Sequence, residues 1–257
     1  MDTPVIDFHN HAGRWSTNLM DDDPVRFISI MDAAGVDRAC INCIFHGDAR
    51  RGNDVVTRFT SEHPDRFIGV GFVTPHYPEE AIGELERCFD VLGMRSLKVY
   101  PTYFERPIDD LAYMPIFEWC DSRGIVVMSH SSWVFDSDVL TLPTRFIALA
   151  KRFSNIRWVL AHSGNAPRGN VLAVEAAQAC PNIYLETATS FADHGAIEFL
   201  VEGAGADRVV FGSDSPLLDS RTQIGRILTS TLPDDAKAKV LGLNAIRLLG
   251  LDSAGRG

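Results

Sequence analysis

Val5-Ile6-Asp7-Phe8-His9-Asn10-His11 is a short apolar run that ends in two histidines separated by one residue. In a β-strand, residues i and i+2 point to the same face. A strand here places His9 and His11 side by side at its C-terminal end, where both imidazoles can reach one metal ion. A single H-x-H pair is a weak signal, because it also arises by chance. The interpretation therefore depends on whether the rest of the chain supplies further ligands.

Seven more apolar runs follow the first, and each is separated from the next by a segment with helical spacing or helix-ending signals. They cover residues 38–44, 67–73, 96–100, 125–130, 156–162, 183–187 and 208–214. Strands this apolar, each followed by a helix, indicate a parallel sheet buried on both faces. Residues 47–53 are predicted as a loop and residues 54–63 as the helix after it. Two closing helices are predicted over about residues 219–249.

Eight such units in 257 residues predict one domain, a closed (β/α)₈ TIM barrel, spanning residues 1–257. An open doubly wound sheet is the alternative. It is the weaker one, because no glycine-rich phosphate loop follows the first strand.

Composition limits the partners. Lys and Arg number 24 and Asp and Glu 34, so the formal net charge is −10, which argues against nucleic acid and anionic membranes. No apolar run approaches the roughly 20 residues that span a bilayer. The odd count of five cysteines favours free thiols in a reducing compartment, and we expect a cytoplasmic protein with a small-molecule substrate.

Polar residues recur at the C-terminal ends of the predicted strands. These residues are His9, His11, Lys98, His130, His162 and Asp214. In a barrel those strand ends meet at one face, where active sites form. Burying such a set without partners is costly, and a divalent metal with three or four N/O ligands explains it most simply.

Each residue alone has a simpler explanation. His130 or His162 could bond a backbone carbonyl at the barrel rim. Lys98 could extend its amine to solvent, and Asp214 could cap the turn after the eighth strand. These explanations compete poorly as a set, because the same strand end would carry polar residues repeatedly without a shared cause.

Loop residues are weaker candidates for substrate contact. His46 follows the second strand, His76 follows the third, and Arg51 lies in the second loop, where it could hold a carboxylate. Trp15, in the first loop, could line an apolar pocket, although an exposed aromatic at a subunit interface is an equal interpretation.

Several of these stretches together resemble the amidohydrolase superfamily. They are Ile6–His11, Leu97-Lys98-Val99-Tyr100-Pro101, Ser129-His130, Leu160-Ala161-His162-Ser163-Gly164, Phe211-Gly212-Ser213-Asp214-Ser215-Pro216 and the segment from Asn244 to Leu251. More narrowly, they resemble its amidohydrolase-2 branch, which includes aminocarboxymuconate-semialdehyde decarboxylase and related metal-dependent hydrolases. As a set in this order the motifs are specific, and they run through nearly the whole chain.

The resemblance implies a TIM barrel of the metal-dependent hydrolase type, and it also implies roles for individual residues. His9, His11, His130 and Asp214 would bind the metal, with one Zn²⁺ favoured and Mn²⁺ or a second metal as alternatives. Asp214 and His162 would be the catalytic acid/base groups. Lys98 would either bind substrate or, if carboxylated, bridge two metals. A homodimer is an expectation at the level of the family.

The function predicted from these residues is a metal-dependent hydrolase that acts on an amide, ester, lactone or C–C bond of a small carboxylated substrate. The first alternative is a non-oxidative decarboxylase of the aminocarboxymuconate-semialdehyde decarboxylase type. The second alternative is a barrel that binds a small ligand without catalysis.

Overall fold

The computed structural model describes residues 3–13 and 22–251. Eight parallel strands form one sheet in sequence order, alternating with helices, as predicted for a TIM barrel. The strands are β1 (Ile6–His11), β2 (Arg38–Asn42), β3 (Phe67–Phe72), β4 (Ser96–Val99), β5 (Val126–Ser132), β6 (Arg157–Gly164), β7 (Ile183–Glu186) and β8 (Val209–Val210).

Ten α-helices accompany the strands in the described part of the chain. They are α1 (Pro24–Ala34), α2 (Ala49–Glu62), α3 (Pro78–Glu86), α4 (Met114–Arg123), α5 (Arg145–Arg152), α6 (Pro167–Ala179), α7 (Ala196–Ala204), α8 (Ser220–Leu228), α9 (Asp234–Ala238) and α10 (Asn244–Leu249). Short π-helical turns continue α3 over Arg87–Val91 and join α9 to α10 over Lys239–Leu243. None of the described helices is long and apolar enough to cross a membrane.

Helix α1 begins and ends where its sequence signals predict. The Asp23 side chain accepts hydrogen bonds from the backbone N–H groups of Val25 and Arg26, and Pro24 occupies the first turn. Gly35 ends the helix with φ +75°, a left-handed conformation that glycine adopts without steric cost.

Helix α2 begins earlier than predicted. Residues 47–53 were predicted as a loop, but the Asp48 carboxylate accepts from the N–H groups of Arg50 and Arg51 and the helix starts at Ala49. A side-chain cap outweighs the poor helix propensity of Gly52 and Asn53. Arg51 therefore lies in the first turn of a helix and not in a loop.

The sheet closes into a ring between β1 and the chain that follows β8. The Phe8 N–H donates to the Phe211 carbonyl at 2.9 Å, and the Asp214 N–H donates to the His9 carbonyl at 2.8 Å. The predicted eighth strand reached Asp214, but β8 ends at Val210, since the backbone beyond it turns to pair with β1. Asp214 has φ +61°, outside the strand region.

Two apolar cores hold the barrel. One lies between the sheet and the surrounding helices and includes Phe59, Phe117 and Trp158. The other fills the barrel from alternate strand positions, including Phe8 and Met128, and α10 joins it. The guanidinium of Arg157, the first residue of β6, donates to the Leu248 carbonyl, so α10 lies at the N-terminal end of the barrel. The C-terminal ends of the strands, where the candidate residues lie, are at the opposite end.

All five cysteines are buried free thiols, as expected. The continuous ring of strands is consistent with the single-domain prediction for residues 1–257, which stays a prediction.

Candidate active site

His9 and His11 lie together at the end of β1, as the H-x-H spacing predicts. Their Nε2 atoms are 3.1 Å apart, and both side chains are buried. The pairing of β1 with β2 shifts register between Asp7 and Asn10, so the irregularity lies in the part of the strand that contains His9. Irregularities such as β-bulges re-aim side chains beside active sites.

Asp214 brings a carboxylate to the same point. Its Oδ1 atom lies 2.9 Å from the Nε2 of His11 and 3.4 Å from the Nε2 of His9. Burial alone would raise the pKa of Asp214, but His9 and the hydrogen bond from His11 lower it below its ordinary value. The carboxylate is therefore ionised at neutral pH.

Lys98 reaches this cluster from β4. Its Nζ lies 2.9 Å from the Nε2 of His9, and the side chain is fully buried. Burial lowers the pKa of Lys98 to about 8, against the opposing effect of Asp214 and Glu186. The prediction that Lys98 joins the strand-end group is consistent with this position, whereas a lysine extended to solvent is not.

His162, at the end of β6, lies on another side of His9, with ring centroids 5.1 Å apart. Its Nδ1 is 3.2 Å from the Ala188 carbonyl, which fixes the proton on Nδ1 and leaves Nε2 as the free ring nitrogen. The backbone from His162 to Asn165 has positive φ at all four residues, a tight left-handed turn. Gly164 and Gly169 touch backbone to backbone beneath this turn, where a Cβ on either would overlap the other.

His130, at the end of β5, stands slightly apart. Its ring packs 4.8 Å from that of His162 and 4.7 Å from that of Tyr100, and its Nδ1 is a buried atom with no hydrogen-bond partner among the described residues. Burial lowers the pKa of His130 well below its ordinary value, and His162 and Lys98 add to this. A neutral imidazole with an unused nitrogen suits a ligand, and its role as one stays a prediction.

The donors of His9, His11 and Asp214 fit a divalent metal. Four donors placed about 2.0–2.2 Å from one tetrahedral ion are roughly 3.3–3.6 Å from one another. The three observed separations are 2.9, 3.1 and 3.4 Å. Two imidazoles and a carboxylate are also a donor set that zinc and manganese accept. A second close group in the described chain consists of His9, His162 and Glu186.

The sequence reasoning missed Glu186. This residue ends β7, is fully buried, and its Oε2 lies 3.0 Å from the Nδ1 of His9. Burial raises its pKa above the ordinary value, although bonds from backbone N–H groups oppose the rise. Like His11, Glu186 is a polar residue at the C-terminal end of an apolar strand, so the same sequence pattern could have predicted it.

The loop candidates that the structure describes, His46, His76 and Arg51, form no hydrogen bond with this cluster. His76 is exposed and packs edge-on against Phe104, with ring centroids 5.0 Å apart. His46 is half-buried, and Arg51 is exposed, with no side-chain hydrogen bond to the described residues. Trp15 lies outside the described residues. Their contacts with substrate stay predictions.

The sequence matches the profile of a family described as "Amidohydrolase" over residues 6–251. The chain belongs to the amidohydrolase family. The predicted amidohydrolase-2 branch is confirmed, and so is the prediction of an enzyme of this type.

Two curated amidohydrolase relatives are decarboxylases. The chain is 26% identical to 2-amino-3-carboxymuconate-6-semialdehyde decarboxylase from Dictyostelium discoideum, over 78% of this chain and 66% of the relative. It is 21% identical to gamma-resorcylate decarboxylase from a Rhizobium strain, over 80% of this chain and 77% of the relative. The chain thus spans about two thirds to three quarters of the length of these relatives.

A solved structure confirms the fold. The 5-carboxyvanillate decarboxylase of Novosphingobium aromaticivorans superposes with a TM-score of 0.81 at 20% identity, over 97% of each chain. That protein was crystallised with manganese and 4-hydroxy-3-methoxy-5-nitrobenzoic acid.

Proposed function

We propose that this amidohydrolase is a metal-dependent, non-oxidative decarboxylase of a small aromatic or conjugated carboxylic acid. The convergence of His9 Nε2, His11 Nε2 and Asp214 Oδ1 within 3.4 Å supports a metal-dependent reaction. The activities of the named relatives support decarboxylation over the hydrolysis that we predicted first.

The residues that would hold the metal are His9, His11, His130 and Asp214. We propose one divalent ion, with Zn²⁺ as the first choice and Mn²⁺ as the alternative, because a similar structure contains manganese. When bound, such an ion supplies a Lewis acid that polarises a carboxylate or hydroxyl oxygen of the substrate.

The chain's own groups have separate tasks. Lys98 would hold the substrate carboxylate by charge and hydrogen bonding. The Nε2 of His162, which carries a lone pair while Nδ1–H bonds the Ala188 carbonyl, would take up a proton from solvent and deliver it to the carbon that carries this carboxylate. That carbon gains the proton, its bond to the carboxylate breaks, and CO₂ leaves while the electron pair restores the conjugated system. Asp214, whose Oδ1 lies beside the Nε2 atoms of His9 and His11, would accept a proton from a substrate hydroxyl.

The reaction can be tested with purified protein, Zn²⁺ or Mn²⁺, and a panel of gamma-resorcylate, 5-carboxyvanillate and matched aromatic esters and lactones. We expect CO₂ release from an acid in the panel, with one solvent deuteron appearing on the product carbon in D₂O. Incorporation of ¹⁸O from water without CO₂ release would instead support the hydrolase.

The metal requirement has its own test. Wild-type protein should bind close to one equivalent of metal, and His9→Ala should lose binding and activity while staying folded. His63→Ala, at the far end of α2, serves as the control. If wild-type protein retains less than about a tenth of an equivalent of metal after loading, both enzyme interpretations fail. The interpretation that then remains is a barrel that binds a small ligand without catalysis.

A further inference from the structure

Glu186 has no task in the proposed reaction, yet it is a fully buried carboxylate that touches two of the residues in it. Its Oε2 atom receives the Nδ1–H of His9 at 3.0 Å and the backbone N–H of His162 at 2.9 Å. Its Oε1 atom receives the N–H of Ala188. Each oxygen is therefore engaged by a donor.

The contact with His9 decides which ring nitrogen carries the proton. Both Glu186 oxygens accept backbone N–H groups, which favours the ionised carboxylate over the acid. A carboxylate only accepts hydrogen bonds, so Nδ1 of His9 carries the proton and its Nε2 carries the lone pair. His9 Nε2 lies 2.9 Å from the Nζ of Lys98, 3.1 Å from the Nε2 of His11 and 3.4 Å from the Oδ1 of Asp214. Glu186 thus presents His9 in the tautomer that can bind a metal.

The contacts with His162 act on its backbone and its ring. The backbone of His162 has φ +67°, which an L-residue rarely adopts, and Glu186 holds its N–H in place. The same carboxylate fixes Ala188, whose carbonyl accepts the Nδ1–H of His162. Two hydrogen bonds therefore position His162, one at its backbone N–H and the other at its ring Nδ1.

Gly212 makes room for this arrangement. A Cβ at residue 212 would overlap the Glu186 carboxylate, with Oε1 as the nearest atom. A side chain at residue 212 would therefore be incompatible with the observed position of the Glu186 carboxylate.

We propose that Glu186 is a positioning residue that sets the tautomer of His9 and the placement of His162 together. The inference rests on the proposed function only in taking His9 as a metal ligand and His162 as the acid. Carboxylates that accept from a ligating imidazole usually raise metal affinity by 10–100-fold.

Glu186→Gln tests the proposal. Three N–H donors meet the two oxygens, and an amide can offer an oxygen at only one of those positions. We expect E186Q to bind Zn²⁺ alone 10–100-fold more weakly than the wild type in a chelator competition. In metal-free protein labelled with ¹⁵N-histidine, the His9 signals, identified by their loss in H9Q, should show protonated Nδ1 in the wild type and lose that single tautomer in E186Q.

Two further variants test the same proposal if E186Q does not fold. E186D keeps the charge and the acceptor atoms on a shorter side chain, so it should retain the Nδ1–H tautomer and bind Zn²⁺ with intermediate affinity. G212A displaces the carboxylate without removing it and should weaken Zn²⁺ binding in the same direction as E186Q.

Glu84→Gln is the matched control, because Glu84 is another buried, hydrogen-bonded glutamate far along the chain from this site. E84Q should leave Zn²⁺ affinity unchanged even if it lowers the melting temperature. Folded E186Q with wild-type Zn²⁺ affinity, or wild-type His9 protonated on Nε2, overturns the proposal. The tautomer measurement needs neither turnover nor metal, so it still decides the role of Glu186 if the decarboxylase assignment fails.

Discussion

The Nζ atom of Lys98 lies 2.9 Å from the Nε2 atom of His9, with both side chains fully buried. This places an amine at the point where three candidate metal donors meet. The same geometry serves a lysine that binds the substrate carboxylate and a carboxylated lysine that bridges two metals.

Lys98→Met distinguishes these roles, because methionine fills a similar volume without the amine. We expect the variant to keep its metal content and to raise KM at least about tenfold, with a smaller change in kcat. Elemental analysis and steady-state kinetics provide the measurement. Loss of one of two metal equivalents would contradict a substrate-binding lysine and support the bridging form.

His162→Asn should lower kcat about 100- to 10,000-fold while leaving metal affinity within about threefold of the wild type. The reason is that the free Nε2 of His162 is the proposed proton donor, whereas the Nδ1–H only anchors the ring to Ala188. Kinetics and a metal titration on the same preparation provide the check. A matching loss of metal would make His162 a ligand, as the close spacing of His9, His162 and Glu186 allows.

Gly169→Ala should destabilise the protein by about 1–3 kcal/mol, because the new Cβ would overlap the Gly164 carbonyl beneath the turn that carries His162. Gly83→Ala is the matched control. Gly83 also lies in a helix, a Cβ there meets no atom within 4 Å, and we expect a gain of about 0.4–1 kcal/mol. Chemical denaturation of both variants gives the comparison, and equal effects would show that the contact between the two glycines is not tight.

Glu84 should make stability depend on pH in the acid range. Burial would raise the pKa of Glu84, but hydrogen bonds from Arg87 and Asn53 outweigh it and hold the pKa below its ordinary value of 4.5. A carboxyl with a depressed folded-state pKa contributes stability above its unfolded pKa and loses it as pH falls through the folded one.

The variant Glu84→Gln isolates this contribution. At pH 7 we expect the wild type to exceed it in free energy of unfolding by about 1–3 kcal/mol. The difference should shrink as pH falls below about 4.5. Urea denaturation from pH 3.5 to 7 measures it, and a difference that stays constant with pH would contradict the assignment.

The barrel and much of the site could be predicted, because both follow from a repeated local pattern. His9, His11 and Lys98 lie at the C-terminal ends of apolar strands, and Asp214 follows β8 by four residues. Parallel strands in a barrel bring those ends together. The structure places these four side chains within hydrogen-bonding distance of one another or of a shared neighbour.

What could not be predicted depends on contacts between distant segments. β8 stops at Val210 because the following backbone pairs with β1, which no local propensity encodes. The early start of α2 depends on whether the Asp48 side chain caps that turn. Glu186 was overlooked because its importance comes from the imidazole it meets, and the proton position on His9 is set by that partner.

The closure between His9 and Asp214 also connects the chemistry to folding. The Asp214 N–H donates to the His9 carbonyl, so one backbone bond joins the first and last strand ends that supply the candidate ligands. A fragment that lacks β1 or the segment that carries Asp214 cannot assemble this set of donors. An ion that binds only the complete ring stabilises it by mass action, by about 2.7 kcal/mol at one hundred times its Kd. Bound metal would then stabilise the closed barrel against unfolding, and the fraction of protein that binds metal would measure the fraction that has folded completely.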